Sequence, residues 1–505
     1  MQPVTHKTIE NGVASVAAGE LQSTGRGERP ALFDRPTDRR AETPLALSRV
    51  RVKVVYSPRD QKTGKHALSN TCRLSEFGLT MGGKRRMHYD AHKSCSQKSR
   101  LLAGLWFSTL AACWLATPLL ADDAKPHGGP SGSTIRLKSV EVRLSQPVNV
   151  MRSKGHLWFA NLVRRHNGDV FAWATNYPDA NQRSSTCLTS WSHDNGQTWS
   201  APQESHYGDI FVKRNNGDLV WLPYHLYHRP EGMGGDYRIL PATDDVFRNE
   251  TSGLVITGLP HADRRNPKHP GLAGFVFNGD AISASDHGYL ATLYGAFAGQ
   301  KTSAVLLAHS KTGLQWHIRS IIADKTSGLM GKNGPSESAL CRLKDGRLMC
   351  VFRLKSYARY GQTFSSDDGK TWSAARQMDV PFSVQPSLVA LPDGTVTLSG
   401  GRPGLYLWIN TDGDGLTWEQ VDLRENHNRT TPADYIHESI NITEKTPLHH
   451  LRHQTTSYTQ TVMLDDSHLL VAYDRGPNGG DKVEPISPET NSVWVVRVEL
   501  QPPKP

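Results

Sequence analysis

Six times along this chain a few apolar residues run into a short polar turn and out into a strongly apolar strand. The copies are Leu162–Ala174, Phe211–Tyr224, Ile282–Gly295, Leu340–Arg353, Leu388–Gly401 and Val462–Asp474. Five of the turns centre on a glycine (Gly168, Gly217, Gly288, Gly346, Gly394) and the sixth on Ser467. Asn-Gly or Asp-Gly between apolar strands marks a hairpin, because the turn needs a residue that tolerates positive φ. Repetition at intervals of roughly 50 to 70 residues indicates an array of like units rather than unrelated hairpins.

A second pattern is phased with the first. Ser192-His-Asp194-Asn-Gly196-Gln-Thr198-Trp199 follows the first hairpin, and Ser365-Ser-Asp367-Asp-Gly369-Lys-Thr371-Trp372 follows the fourth. Looser copies end at Trp316 and Trp418. Each unit therefore reads as two hairpins, or four strands. The expected fold is all-β, a six-bladed β-propeller with four-stranded antiparallel blades over residues 135–501. In the box the Asp accepts backbone N–H groups of its own turn, the Gly takes the unusual dihedral and the Trp covers the blade edge. Asp194 and Asp367 are thus read as structural. Asn491–Leu500 is a strong final strand, with Thr134–Val142 as its expected partner at ring closure.

The formal charge of +10 does not belong to this repeat region. Residues 1–100 hold 19 Lys/Arg against 9 Asp/Glu, and residues 101–505 hold 39 of each. A nucleic-acid-binding domain carries its own basic footprint, so no nucleic-acid partner is expected. Leu101–Ala121 is an uncharged apolar run, preceded by Lys93, Lys98 and Arg100 and followed by Asp122-Asp123, the layout of a secretory signal. A membrane anchor over 101–121 and a lipoprotein site at Cys113 are the alternatives. Translation from Met87 or Met81 would bring the signal to the N-terminus. Residues 1–86 then read as an over-extended segment, 87–121 as signal peptide and 122–134 as linker. Export to the periplasm or beyond is expected, with no stable membrane insertion after cleavage. Cys187, Cys341 and Cys350 remain in the exported part, in no metal-binding spacing, so neither metal nor cofactor is expected. A two-residue turn at Asp345-Gly346 would place Cys341 opposite Cys350, as a cross-strand disulfide or as two buried thiols.

Boxes of this kind on a six-bladed propeller with a secretory signal resemble the sialidases, over essentially all of residues 135–500. Matches outside the boxes add to the resemblance. Glu337 is followed sixteen residues on by Arg353 at the end of a hairpin strand. Arg402-Pro-Gly-Leu-Tyr resembles the family's next arginine segment, and Thr456-Ser-Tyr458 the segment bearing its tyrosine nucleophile. Asp179, twenty residues before Trp199, stands where the family places its general acid. The resemblance implies an exo-acting, retaining glycoside hydrolase releasing sialic acid or a related acidic sugar from a glycan. Tyr458 would be the nucleophile, Glu337 its base and Asp179 the acid, with Arg353 and Arg402 holding the substrate carboxylate. A neutral nucleophile suits a sugar whose own carboxylate adjoins the reacting carbon.

The family's opening Arg-Ile-Pro has no counterpart here. Its place is taken by Gly155-His-Leu-Trp-Phe-Ala-Asn161, and Arg152 lies several residues too early unless a loop returns it. Each site residue also has a structural reading: Glu337 as a polar strand start, the arginines as blade-edge charges, Tyr458 as a core aromatic and Asp179 as an ordinary loop acid. A hydrolase or lyase acting on another glycan, and a non-catalytic glycan- or protein-binding propeller, are the alternatives in function.

Overall fold

The computed structural model describes residues 132–177, 186–206, 208–259, 265–266, 269–297, 300–329, 334–355, 357–382, 384–438, 453–476 and 491–503. The expected leader and signal lie outside the described residues, as does Asp179. No helix among the described residues is long and apolar enough to cross a membrane.

The fold is all-β, built as six sheets, four of them four-stranded and antiparallel. The first sheet runs through Trp158–Arg164, Val170–Thr175, Thr186–Ser192 and Gln203–His206. The second begins at Phe211–Lys213, the fourth at Ser338–Arg342 and the fifth at Ser387–Ala390. Two sheets exceed four strands. The third, centred on Phe275–Ser283, Tyr289–Ala296, Ser303–Ser310 and Gln315–Ala323, has nine because the segment before it adds strands to its outer edge. That edge is parallel where Val255–Thr257 meets Gln315–Ala323. The long interval between Gly217 and Gly288 is this insertion. The sixth sheet has six strands, since both Glu141–Leu144 and Val148–Ser153 pair with Asn491–Gln501. Of the expected Thr134–Val142 partner, Glu141 and Val142 pair with Asn491–Gln501, while Ser133–Arg136 folds back on Glu141–Leu144.

The first strand of one sheet packs on the first strand of the next. Phe211–Lys213 meets Phe275–Ser283, which meets Ser338–Arg342, then Ser387–Ala390, Thr459–Met463 and Trp158–Arg164 in turn. A single cavity of about 500 Å³ is lined by residues from the first strands of all six sheets. Apolar clusters fill the spaces between neighbouring sheets, for example Leu340, Cys350 and Phe352 against Leu290, Val305 and Leu307.

The hairpin turns hold three residues, one more than expected. Gly346 N–H donates to Leu343 C=O and Leu343 N–H to Arg347 C=O, with Gly346 at φ +90°. The same bonds recur around Gly168, Gly217 and Gly394. In the third hairpin His287, not Gly288, takes the left-handed position (φ +64°). The extra residue shifts the register by one, so Cys341 pairs with Met349 and Cys350 with Leu340. A one-residue shift moves a side chain to the other face of a sheet. Cys341 and Cys350 therefore lie in different clusters as free thiols, and burial pushes the Cys341 thiol up to about 12.

The boxes fasten one sheet to the next. Asp194 accepts from the backbone N–H of Gln197 (3.0 Å) and Thr198 (2.9 Å) and from the Thr198 hydroxyl (2.6 Å). Asp367 makes the same three bonds with Lys370 and Thr371. Its turn hydrogen bonds hold the Asp367 carboxyl well below the usual carboxylate range, so it stays an anion serving its turn. A Cβ on Gly369 would come within 2.1 Å of Leu307, and one on Gly196 within 2.8 Å of Leu470, each on the preceding sheet.

A helix over Leu423–Thr430 is capped by Asp422, whose side chain accepts from Glu425 N–H, and buries His427 against the sixth sheet. His427 Nε2 lies 2.9 Å from the Asp434 carbonyl and donates to it, leaving Nδ1 to accept from the Tyr473 hydroxyl at 2.9 Å. Burial pushes this imidazole down to about 4. The unfolded chain takes up that proton near pH 6.5, so the neutral ring's contribution is complete above 6.5 and lost as the pH falls towards 4. The loss amounts to about 3 kcal/mol. Urea unfolding between pH 7.5 and 4 should show this slope, and His427→Gln should flatten it.

Candidate functional site

In an antiparallel hairpin the start of the first strand and the end of the second lie at the same end of the sheet. Glu337 immediately precedes Ser338–Arg342, and Arg353 immediately follows Leu348–Phe352. Tyr458 precedes Thr459–Met463, and Arg402 follows Val396–Gly401. Residues from three sheets are thus delivered to one end of the fold. There they meet.

The Tyr458 hydroxyl donates to Glu337 Oε1 at 2.7 Å and accepts from Arg353 Nη1 at 2.9 Å. Arg353 Nη1 also lies 2.7 Å from both Glu337 oxygens. The Arg402 guanidinium sits 5.5 Å from the Tyr458 ring centroid, and its Nη2 donates to the Thr456 carbonyl at 2.6 Å. The side chains of Glu337 and Arg353 keep 13% and 18% of their surface accessible, so the cluster is recessed yet open to a ligand. Burial and then the Glu337 carboxylate hold the Tyr458 phenol protonated, well above its ordinary range, against the opposing pull of Arg353 and Arg402. Burial works against the charge on Arg353, but Glu337 and Tyr458 outweigh it and raise its pKa. The resting state is a neutral phenol hydrogen-bonded to a carboxylate, with a fixed cation bridging the two.

Apart from Trp158, which with His156 and Asn161 stands in the stretch replacing Arg-Ile-Pro and could suit a different sugar, the further partners of this cluster were not singled out in the sequence. The Phe159 ring packs on Tyr458 with centroids 4.2 Å apart, and Trp158 stacks on Phe159 at 4.3 Å. Asp474, fully buried, accepts from Thr456 N–H (2.7 Å), Thr455 Oγ1 (3.0 Å), Thr456 Oγ1 and Phe159 N–H (3.1 Å). One carboxylate thereby pins both the segment before Tyr458 and the backbone of the aromatic residue covering it. The Tyr224 and Tyr294 hydroxyls stand 3.4 Å apart, and Tyr294 is raised by burial first, then by Tyr224 and Glu337. The sequence did hold a signal for these. Tyr224, Tyr294 and Asp474 each lie within three residues of the end of a hairpin's second strand, as Arg353 and Arg402 do.

Arg152 does not supply the family's first arginine. Its guanidinium is bonded to both Asp434 oxygens (2.9 and 2.7 Å) and lies over the Trp494 ring at 5.2 Å. The residue that reaches Tyr458 from this part of the chain is Phe159. His453, five residues ahead of Tyr458, lies 2.6 Å from Arg475 Nη2 through its Nδ1.

Backbone strain concentrates here as well. Among the described residues seven non-glycine positions have left-handed φ, and four belong to this site: Phe159, Tyr357, Arg402 and Ser457. Tyr357 N–H donates to the Arg402 carbonyl (3.1 Å), and the Ser457 hydroxyl donates to the Gly404 carbonyl (2.8 Å). The other three occupy boxes or a hairpin turn. Such conformations cost about 1–3 kcal/mol each and cluster where a ligand must be met. No group of His, Cys, Asp and Glu with metal-site geometry occurs among the described residues.

Residues 263–471 match the family model of the BNR repeat-like domain. No curated protein matches the chain in sequence. Among solved structures it is similar to a protein of unknown function from Dyadobacter fermentans, at 17% identity and TM-score 0.52 over 71% of this chain and 99% of that one. It is also similar to the NanB sialidase of Streptococcus pneumoniae (14%, TM-score 0.44, 70% of each chain). A third likeness is to an alpha-L-arabinanase of Penicillium chrysogenum (14%, TM-score 0.46, 71% of this chain and 98% of that one). The first of these shows a shared fold.

Proposed function

We propose that this chain, whose residues 263–471 match the BNR repeat-like domain, is an exported, retaining glycoside hydrolase of the sialidase type using Tyr458 as nucleophile. The observation that carries this reading is the 2.7 Å hydrogen bond from the Tyr458 hydroxyl to Glu337, bridged by Arg353. The six sheets act as six blades around the axial cavity, with the catalytic group at one mouth. Tyr458 Oη attacks the anomeric carbon while its proton passes to Glu337, and the bond to the leaving oxygen breaks as an acid protonates that oxygen. Asp179 is the candidate acid. Water then attacks the glycosyl-tyrosine, losing its proton to the Asp179 carboxylate, and Tyr458 recovers its own from Glu337. No metal or organic cofactor takes part.

The sugar proposed first is a terminal sialic acid or related acidic sugar, whose carboxylate would face Arg402 and Arg353. A second reading, hydrolysis of another glycan, is favoured by Phe159 lying on Tyr458 and by the engagement of Arg152 with Asp434. An aromatic ring at that place offers a face to sugar C–H groups rather than a charge to a carboxylate. A panel of fluorogenic glycosides separates the two. Turnover of the α-sialoside is expected. Turnover of another glycoside alone would replace the sugar and keep the hydrolase, whereas an inert protein across the panel would leave a binding propeller.

A further inference from the structure

The first strands that begin at the catalytic group do not end there. From Glu337 to Arg342 the chain advances five residues, roughly 16 Å along the axial wall. The second halves of these strands line the cavity with Leu340–Arg342, Asp280–Ile282, Arg164 and Lys213. Among mostly apolar neighbours this cavity carries five charged side chains, Arg164, Arg165, Lys213, Asp280 and Arg342, and their charges do not cancel.

Arg165 is held by Asp245 (2.5 Å) and Arg342 by Asp368 (2.5 Å), so these two cations are neutralised beside the cavity. Among the described residues Arg164 and Lys213 make no ion pair, and the Arg164 Nε is buried without a hydrogen-bond acceptor. The carboxylate lining this end is Asp280, whose Oδ2 is taken by Gln460 Nε2 at 2.7 Å. His166 adds an exposed imidazole at the rim. Two cations stand against one carboxylate, with Arg164 and Asp280 half-buried and Lys213 exposed towards the cavity mouth. Neighbouring like charges repel, and an anion placed between them is attracted by both.

We propose that this end of the axial cavity is a binding site for a small oxyanion such as phosphate or sulfate, held by Arg164 and Lys213 and separate from the catalytic group. The guanidinium of Arg164 supplies planar N–H donors and Lys213 a point charge, a pairing suited to an oxyanion with several acceptor oxygens. A cavity of about 500 Å³ also leaves room for the organic part of a small phosphate or sulfate ester. Asp280 sets the affinity by competing for the same cations. The proposal does not depend on the glycosidase reading.

The test uses the full chain at pH 7, with inorganic phosphate titrated against sodium chloride at constant ionic strength. Thermal unfolding and isothermal titration are read together. Phosphate should raise the melting temperature where chloride does not. Lys213→Met and Arg164→Met should each weaken phosphate binding by about tenfold or more, the loss expected for one charge-assisted contact. Asp280→Asn should tighten it, a gain that a poorly folding variant cannot mimic. Arg402→Met should leave it unchanged. The proposal fails if phosphate and chloride act alike on the wild type, if Asp280→Asn gains nothing, or if binding follows Arg402 rather than Lys213.

Discussion

Tyr458→Phe should lower turnover of whichever glycoside the protein accepts by about a thousandfold or more, the usual cost of deleting a nucleophile. The substitution removes one oxygen and keeps the ring that packs on Phe159 and faces Arg402, so melting temperature and ligand affinity should change little. Glu337→Gln should cost a comparable factor, because the phenol that burial and Glu337 hold protonated then loses its proton acceptor. The two groups act on one proton. The double variant should therefore be scarcely worse than either single one, since residues working as a unit are far from additive. Steady-state kinetics on the three variants decides this. Losses that multiply, or a Tyr458→Phe enzyme with unchanged kcat, would remove the nucleophile role.

Asp474→Ala carries the largest expected effect on stability. Four donors converge on this carboxylate: the backbone N–H groups of Phe159 and Thr456 and the hydroxyls of Thr455 and Thr456. Truncation strands all of them in a place without water, and the cost should be about 3–5 kcal/mol by urea unfolding. Asp474→Asn keeps the volume but turns an NH2 group towards donors, so it should recover less than half of the loss. Phe159 and Ser457 hold left-handed backbones beside these bonds, and releasing them should displace both Phe159 and Tyr458. A mild variant, with less than about 1 kcal/mol lost, would mean that the strained segment is held by its packing instead.

The two predictions fall on residues of different legibility. Glu337, Arg353, Arg402 and Tyr458 could be named because their order and spacing resemble those of the sialidase motifs; the residues taken singly offered an equally good structural reading. Asp474 ends such a hairpin too, but a buried acceptor looks in sequence like any acid at a strand end. Phe159 was harder still, since nothing local distinguishes an aromatic that covers Tyr458 from one that fills the core. The cysteine pairing failed on a single residue of turn length, which alternation along a strand turns into opposite faces of the sheet.

Turn chemistry, box geometry and the end of each sheet at which polar residues gather follow from neighbours within a few residues, and the sequence by itself determined them. Tertiary structure alone decided what meets across long separations. The Tyr458–Glu337 bond spans 121 residues and the Phe159–Asp474 bond 315. It also decided that Arg152 turns to Asp434, and that Val148–Ser153 joins Glu141–Leu144 in pairing with Asn491–Gln501. Such contacts depend on how neighbouring sheets pack and twist, and no local rule of spacing carries that information.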